Sequence, residues 1–263
     1  MKRPAIKPTV PVTDTAPEAV PNLAPFPYRD WLAAREQLES ALRRGVFYGL
    51  VLGRSGTGKT SLVRELARSL DRHQYQLLYL SAPRVSLLGI ARYFAQVLRV
   101  TPRRSSLETI KVIADALQAQ PAHLVAWIDE AGSLPADTLA ELRSLAEFSH
   151  EVPQIFSVVL SGTPELKVQL DAQALFPLKR RISVRLSLEG LRRDELDAFL
   201  LHRFGASDAK RLVLGLRDEL FERAAGVPAL IDRVARHALD RAGAGTGAVG
   251  DEHLREALDG AAL

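Results

Sequence analysis

Gly53-Arg54-Ser55-Gly56-Thr57-Gly58-Lys59-Thr60 follows the short apolar run Phe47 to Leu52 and precedes a stretch that reads as a helix. The octet matches G-x-x-x-x-G-K-[ST] without a departure. Gly53, Gly56 and Gly58 let backbone N–H groups turn inward around phosphates, and the following helix presents its positive end to the same anion. Lys59 is expected to reach the β- and γ-phosphates, and Thr60 to place its hydroxyl on Mg²⁺. Arg54, Ser55, Thr57 and Ser61 complete the segment expected to hold ATP.

Outward from this loop the same alternation repeats. Apolar runs at Gln76 to Leu80, Leu124 to Ile128, Ile155 to Leu160 and Val184 to Leu188 have the length of strands buried on both faces of a parallel sheet. Helical spacing separates them, at Leu87 to Leu98, at Leu107 to Leu117, and through Leu139, Leu142, Leu145 and Phe148. Trp31, Leu32, Leu38, Ala41 and Leu42 give a further helix from Tyr28 to Arg44, with Gly45 as its cap. Strands alternating with helices predict an α/β fold of three layers. After Gly190 the pattern is helical only, at Asp194 to Phe204, Leu212 to Ala225 and Ala229 to Ala242, with a last short helix near His253 to Leu258. The expected organisation is therefore a proline-rich flexible arm over 1–27, a nucleotide-binding α/β domain over 28–189 and a small helical lid over 190–263.

Composition excludes several classes of function. With no cysteine, the chain carries no disulfide framework, thiolate metal site or thiol nucleophile. No run of about 18 apolar residues is present and the first residues lack an apolar core, so a cytoplasmic protein is expected, without a membrane partner. Thirty-five basic against 31 acidic residues leave a net charge of +4, which permits a phosphate-rich partner without requiring one. Only seven of the basic residues are lysines.

Three further places carry candidate chemistry. Asp129 and Glu130 end the apolar run His123 to Ile128, where Asp129 would hold the water shell of Mg²⁺ and Glu130 would polarise the attacking water. Past Leu160, a polar side chain is expected between the acidic strand ends to sense the γ-phosphate, Thr163 first and Ser161 second. Lys179, Arg180, Arg181 and Arg185 cluster before the last strand, where an arginine would complete the site of a neighbouring subunit as an arginine finger does.

The phosphate loop, the Asp129-Glu130-Ala131 strand end, the segment PADTLAELRSLAEF, the strand VVLSGTPEL, the Arg180-Arg181-Ile182 segment and the helical tail together resemble the AAA+ ATPases of the ExeA and transposition-helper group, with its TnsC, TniB and MuB types. The likeness runs from about Tyr28 to Ala242. It implies a sheet of order 5-1-4-3-2, a helical lid, ATP bound between neighbouring subunits, and rings or filaments of a homo-oligomer. It also implies that Asp129 is the Mg²⁺-associated aspartate, Glu130 the hydrolytic glutamate and Thr163 the sensor 1 residue, with Arg181 the preferred finger and Arg180 next. Two departures stand out. Gly132 replaces the glutamine of the family's D-E-A-Q, and Ala229 replaces the sensor 2 arginine of G-x-P-R, leaving Arg233 one turn further along as the substitute.

The chain's length resembles the stand-alone transposition helpers more than the longer ExeA-type secretion ATPases, which carry a membrane segment and a peptidoglycan-binding region. On that branch ATP-driven oligomers bind duplex DNA without sequence preference, through phosphate contacts, and recruit a transposase. Arg84, Arg103 and Arg104 are the expected DNA contacts. The rival expectations are an assembly or secretion ATPase acting on protein partners, and a nucleotide switch with little hydrolysis.

Overall fold

The computed structural model describes residues 24–45, 47–81, 84–118, 122–143, 156–212, 214–243 and 247–260. Its centre is a parallel sheet of five strands: β1 (Tyr48–Gly53), β2 (Tyr75–Ser81), β3 (His123–Asp129), β4 (Phe156–Gly162) and β5 (Ile182–Leu188). Their spatial order is β2-β3-β4-β1-β5, the expected 5-1-4-3-2 read from the other edge.

Side chains of a strand point alternately to the two faces, and here both faces are apolar. Val51, Val125, Trp127, Val159 and Leu186 enter one core, whereas Leu50, Leu124, Ala126, Ile128, Val158 and Leu160 enter the other. The first core is closed by α1 (Arg29–Arg44) and α2 (Lys59–Ser69), together with α8 (Leu196–Arg211), α9 (Leu214–Ala224), α10 (Pro228–Arg241) and α11 (Asp251–Gly260). The second is covered by α3 (Leu87–Val97), α4 (Ser106–Gln118), α5 (Ala136–Glu141), α6 (Glu165–Leu170) and α7 (Phe176–Arg181). The three-layer α/β architecture predicted from the pattern is the one adopted.

The apolar period of α1 explains where it sits. Trp31, Ala34, Leu38, Ala41 and Leu42 recur on one stripe and are all buried, while Asp30 in the first turn and Arg43 and Arg44 in the last match the helix dipole. The start of this helix is tied to the chain between β5 and α8: the Arg29 N–H donates to Glu195 Oε1 at 2.7 Å, and the Glu189 N–H to Asp30 Oδ2 at 3.3 Å. Residues 24–27, the end of the segment read as an arm, lie on α8. Phe26 meets Phe199 edge to face with ring centroids 5.6 Å apart, and His202 Nε2 donates to the Ala24 carbonyl at 2.8 Å. Residues 1–23 lie outside the described residues.

Local differences from the sequence reading have local causes. The helices α6 and α7 have six residues each, too few to show a 3.6-residue period, and the sequence shows them only as turn-like or basic text. The helix expected over Asp194 to Phe204 does break at Gly205, whose φ of 76° and ψ of 174° are not helical, and a second helical stretch follows across this kink to Arg211. The last helix covers Asp251–Gly260 and is longer than expected. Of the helix read through Leu139 to Phe148, Ala136–Glu141 is described, and Leu145 and Phe148 lie outside the described residues.

Two glycines bring the chain after β5 against the turn between α9 and α10. Gly190 has φ +114°, and a β-carbon there would stand 2.5 Å from the Gly226 carbonyl oxygen, which accepts the Leu191 N–H at 2.8 Å. Gly190→Ala combines a left-handed alanine with a clash against backbone, and should destabilise the fold by at least about 2 kcal/mol in chemical denaturation.

Candidate nucleotide-binding site

The register of the sheet brings the candidate residues to one edge. Tyr48↔Val158 through Leu52↔Gly162 aligns β1 with β4, Ile128↔Leu160 aligns β3 with β4, and Ser81↔Asp129 ends the β2–β3 ladder. The strands are parallel, so Gly53, Asp129 and Ser161 all finish at the carboxyl end, where ligands bind in open α/β sheets.

Gly53 to Thr60 turns from β1 into α2 with Gly56 at φ 82° and Gly58 at φ 97°, conformations that side chains oppose. Gly53 could not carry a side chain either: a β-carbon there would stand 2.5 Å from Thr57 Oγ1 and 2.9 Å from the Leu188 carbonyl oxygen. Thr57 is fully buried, and its hydroxyl donates to the Arg54 carbonyl at 2.9 Å. Ser55 is exposed, and Ser61 is half-buried in the first turn of α2. Lys59 Nζ folds back on the loop and donates to the carbonyl oxygens of Gly53 at 2.7 Å and Arg54 at 3.0 Å. Burial holds the Lys59 ammonium below its usual pKa, while the charges of Asp129 and Glu130 act the other way. Lys59 thus lies within electrostatic reach of both carboxylates.

Asp129 is 5% exposed and accepts four hydrogen bonds. Its Oδ1 takes the Ser161 hydroxyl at 2.6 Å and the Glu130 N–H at 3.0 Å; its Oδ2 takes the Tyr79 hydroxyl at 2.8 Å and the Thr60 hydroxyl at 3.2 Å. Trp127 Nε1 in turn donates to Ser161 Oγ at 2.7 Å. Burial, followed by the bond to Asp129 and its charge, pushes the Tyr79 phenol up to about 12, so it stays a neutral donor. Glu130 is exposed and left-handed at φ 53°, a strained setting for a non-glycine residue that turns the chain sharply where β3 ends.

Of the two residues considered for sensing the γ-phosphate, Ser161 is fully buried on Asp129. Thr163 is exposed, and its hydroxyl, bonded to the Glu165 carboxylate, lowers the pKa of that group. At Gly132 a different glutamine approaches: Gln169 Nε2 of α6 donates to the Gly132 carbonyl at 3.0 Å.

The helices after β5 touch the loop directly. The Ala229 N–H at the start of α10 donates to the Gly56 carbonyl at 3.2 Å, and a β-carbon on Gly56 would meet Ala229 Cβ at 2.8 Å. Arg54 donates to the carbonyl oxygens of Ala225 and Glu189. Arg233 is exposed one turn beyond Ala229, on the same face of α10.

The other candidates lie elsewhere. Arg180 and Arg181 end α7, at the amino end of β5, and Arg180 stands over the Phe176 ring at 5.8 Å. Six steps along β5 separate Ile182 from Leu188, the partner of Gly53, so these arginines are about 20 Å from their own loop. Arg84 is exposed on the β2–α3 connection, and Arg103 and Arg104 are exposed on the α3–α4 connection.

Tyr79 and Trp127 escaped the sequence reading, although each lies two residues from a strand end and so shares a face with it. Without the strand order, neither can be placed next to Asp129. Tyr28 escaped as well: its hydroxyl donates to the Thr57 carbonyl at 2.6 Å, and burial, then the charges of Asp30, Glu195 and Glu189, keep it protonated.

The residues fit a Mg²⁺–nucleotide complex. Thr60 and Asp129 present hard oxygens 3.2 Å apart, and no cluster of three or more His, Cys, Asp or Glu is found among the described residues. One hydroxyl and one carboxylate, with phosphates and water completing the shell, suit Mg²⁺.

Fold and site define an AAA+ P-loop architecture. Residues 47–170 match the family model described as AAA domain. General secretion pathway protein A of Aeromonas hydrophila is 27% identical over 213 residues, which make up 78% of this chain and 39% of that protein. The chain thus spans about two fifths of the length of this relative. Among solved structures, Cdc6p of Pyrobaculum aerophilum superposes with a TM-score of 0.68 at 19% identity, over 90% of this chain and 69% of that one. The ORC1 protein of Aeropyrum pernix, solved in complex with DNA, gives 0.52 at 17% identity, over 95% and 68%. Among the described residues, no helix is long and apolar enough to cross a membrane.

The hydrogen bonds separate the two threonine and serine candidates experimentally. Ser161→Ala leaves Trp127 Nε1 buried without an acceptor and removes a donor from Asp129, which should cost about 1–3 kcal/mol of stability in chemical denaturation. Thr163→Ala, at an exposed position, should stay within about 0.5 kcal/mol of the parent.

Proposed function

We propose that the chain is a Mg²⁺-dependent ATPase that assembles into a homo-oligomer, and that the oligomer binds duplex DNA without sequence preference to regulate transposition through target selection and transposase recruitment. The observation that carries the ATPase reading is the convergence of Lys59, Thr60, Asp129 and Glu130 at the carboxyl edge of the sheet. Backbone N–H groups between Gly53 and Ser61 would bind the phosphates, and Lys59 would exchange its two loop carbonyls for phosphate oxygens. Thr60 and Asp129 would hold Mg²⁺, which neutralises charge on the β- and γ-phosphates. Glu130, exposed beside the buried Asp129, accepts the proton of the attacking water. Thr163 first, and Ser161 second through its bond to Asp129, would respond to the γ-phosphate. The distance of Arg181 and Arg180 from their own loop supports a role as finger in the site of a neighbouring subunit, Arg181 first. Arg233, on the loop-facing side of α10, stands in for the missing arginine at Ala229.

Exposed Arg84, Arg103 and Arg104 and the net charge of +4 support the DNA reading. The likeness to General secretion pathway protein A favours a second reading, in which the same ATPase drives assembly of protein partners.

Glu130→Gln should lower turnover by about 100-fold or more with ATP affinity intact, whereas Lys59→Ala should abolish detectable ATP binding in calorimetry. For the partner, sedimentation with random-sequence duplex DNA and a slowly hydrolysed ATP analogue should show nucleotide-dependent co-assembly that weakens steeply with salt. Assembly without DNA binding at low salt would instead select the protein-partner reading.

A further inference from the structure

An ionised carboxylate offers about four lone-pair sites on its two oxygens, and four donors already occupy those of Asp129. Oδ1 is taken by the Ser161 hydroxyl and the Glu130 N–H, and Oδ2 by the Tyr79 and Thr60 hydroxyls. A carboxylate filled in this way has no lone pair left for an ion to take directly. Even a water held by an ion can donate to it only if one of the four donors gives way.

The four differ in what holds them. The Glu130 N–H belongs to the adjoining peptide, and Ser161 is fully buried with its oxygen fixed by the Trp127 N–H at 2.7 Å. Tyr79 is held along its whole length: its main chain pairs in register with Trp127, its carbonyl accepts the Tyr93 hydroxyl of α3 at 3.0 Å, and its ring packs on the first core. Thr60 makes the longest of the four bonds, at 3.2 Å, and its oxygen is the one that Mg²⁺ itself would claim. The place on Oδ2 that Thr60 gives up would pass to a water of the ion, while Tyr79, at 2.8 Å, keeps the other lone pair.

Such a carboxylate suits one kind of cation. Mg²⁺ sheds its waters reluctantly and accepts a carboxylate one water away, whereas Ca²⁺ gathers about six to eight oxygens and takes carboxylates directly. Resting on the Mg²⁺–nucleotide reading above, we propose that Tyr79 is a specificity-determining residue: by keeping one lone pair of Asp129 Oδ2 filled, its hydroxyl holds that carboxylate to water-mediated contact with the ion and so selects Mg²⁺ over Ca²⁺.

Calorimetry on the full chain tests this without reference to turnover, with a slowly hydrolysed ATP analogue titrated in EDTA, in excess Mg²⁺ and in excess Ca²⁺. Tyr79→Phe keeps the ring in the core and removes only the hydroxyl. It should leave affinity in EDTA unchanged and cut the preference for Mg²⁺ over Ca²⁺ about tenfold, the scale of one hydrogen bond to a charged group. Tyr93→Phe removes a hydroxyl from Tyr79's own main chain but leaves Asp129 its four donors, and should keep the parent's preference. An unchanged preference in Tyr79→Phe overturns the inference. So does an equal loss in all three media, or the same change in Tyr93→Phe, since either makes Tyr79 a prop of β2. Those results leave the Mg²⁺–nucleotide site standing. Parent protein that binds the analogue no more tightly in Mg²⁺ than in EDTA takes down the metal reading and this inference with it.

Discussion

The carboxylate of Asp129 is the point on which the site depends. A buried charge is tolerated only when its lone pairs are satisfied, and here donors from β2, β4, α2 and the following peptide supply four hydrogen bonds. Those donors reach it only if β2, β3 and β4 are neighbours in this order and in this register. A slip of one residue in either ladder would turn Tyr79 or Ser161 to the opposite face and leave Asp129 with an unmet charge. Trp127 extends the arrangement inward, since its N–H holds Ser161 and its ring fills the core beneath. Packing of one sheet face and polarity of the sheet edge are in this way fixed together.

What the sequence reveals and what it conceals divide along the range of the interactions. The phosphate loop is local, eight consecutive residues whose glycines and lysine are each required in place, and it is legible on sight. So are the strands, since runs such as Leu124 to Ile128 are apolar on both faces and have no other economical home than the centre of a parallel sheet. The partners of Asp129 are not legible. Tyr79 lies 50 residues before it and Ser161 32 after it, and only the crossover order makes them adjacent. Thr163 illustrates the same limit from the other direction: a strand end two residues longer or shorter decides whether a hydroxyl faces the buried carboxylate or solvent, and element boundaries are the least certain part of any reading from pattern. The contact of Ala229 with Gly56 was also hidden, because the sequence marks only that an arginine is missing and says nothing of what takes its space.

That contact makes the phosphate loop and the helices after β5 mechanically continuous. The Ala229 N–H on the Gly56 carbonyl and Arg54 on the Ala225 carbonyl pin the loop at two points, the first turn of α10 and the turn that leads into it. With 14 residues, α10 is a rigid rod of about 21 Å, and its far end packs against α11. A tilt of about 10° at the pinned end therefore carries the far end through nearly 4 Å, about the diameter of a methyl group, by the geometry of a rod of that length. The loop is the fulcrum of a lever, and any ligand that reshapes the backbone between Arg54 and Gly56 is felt most strongly at the surface furthest from it.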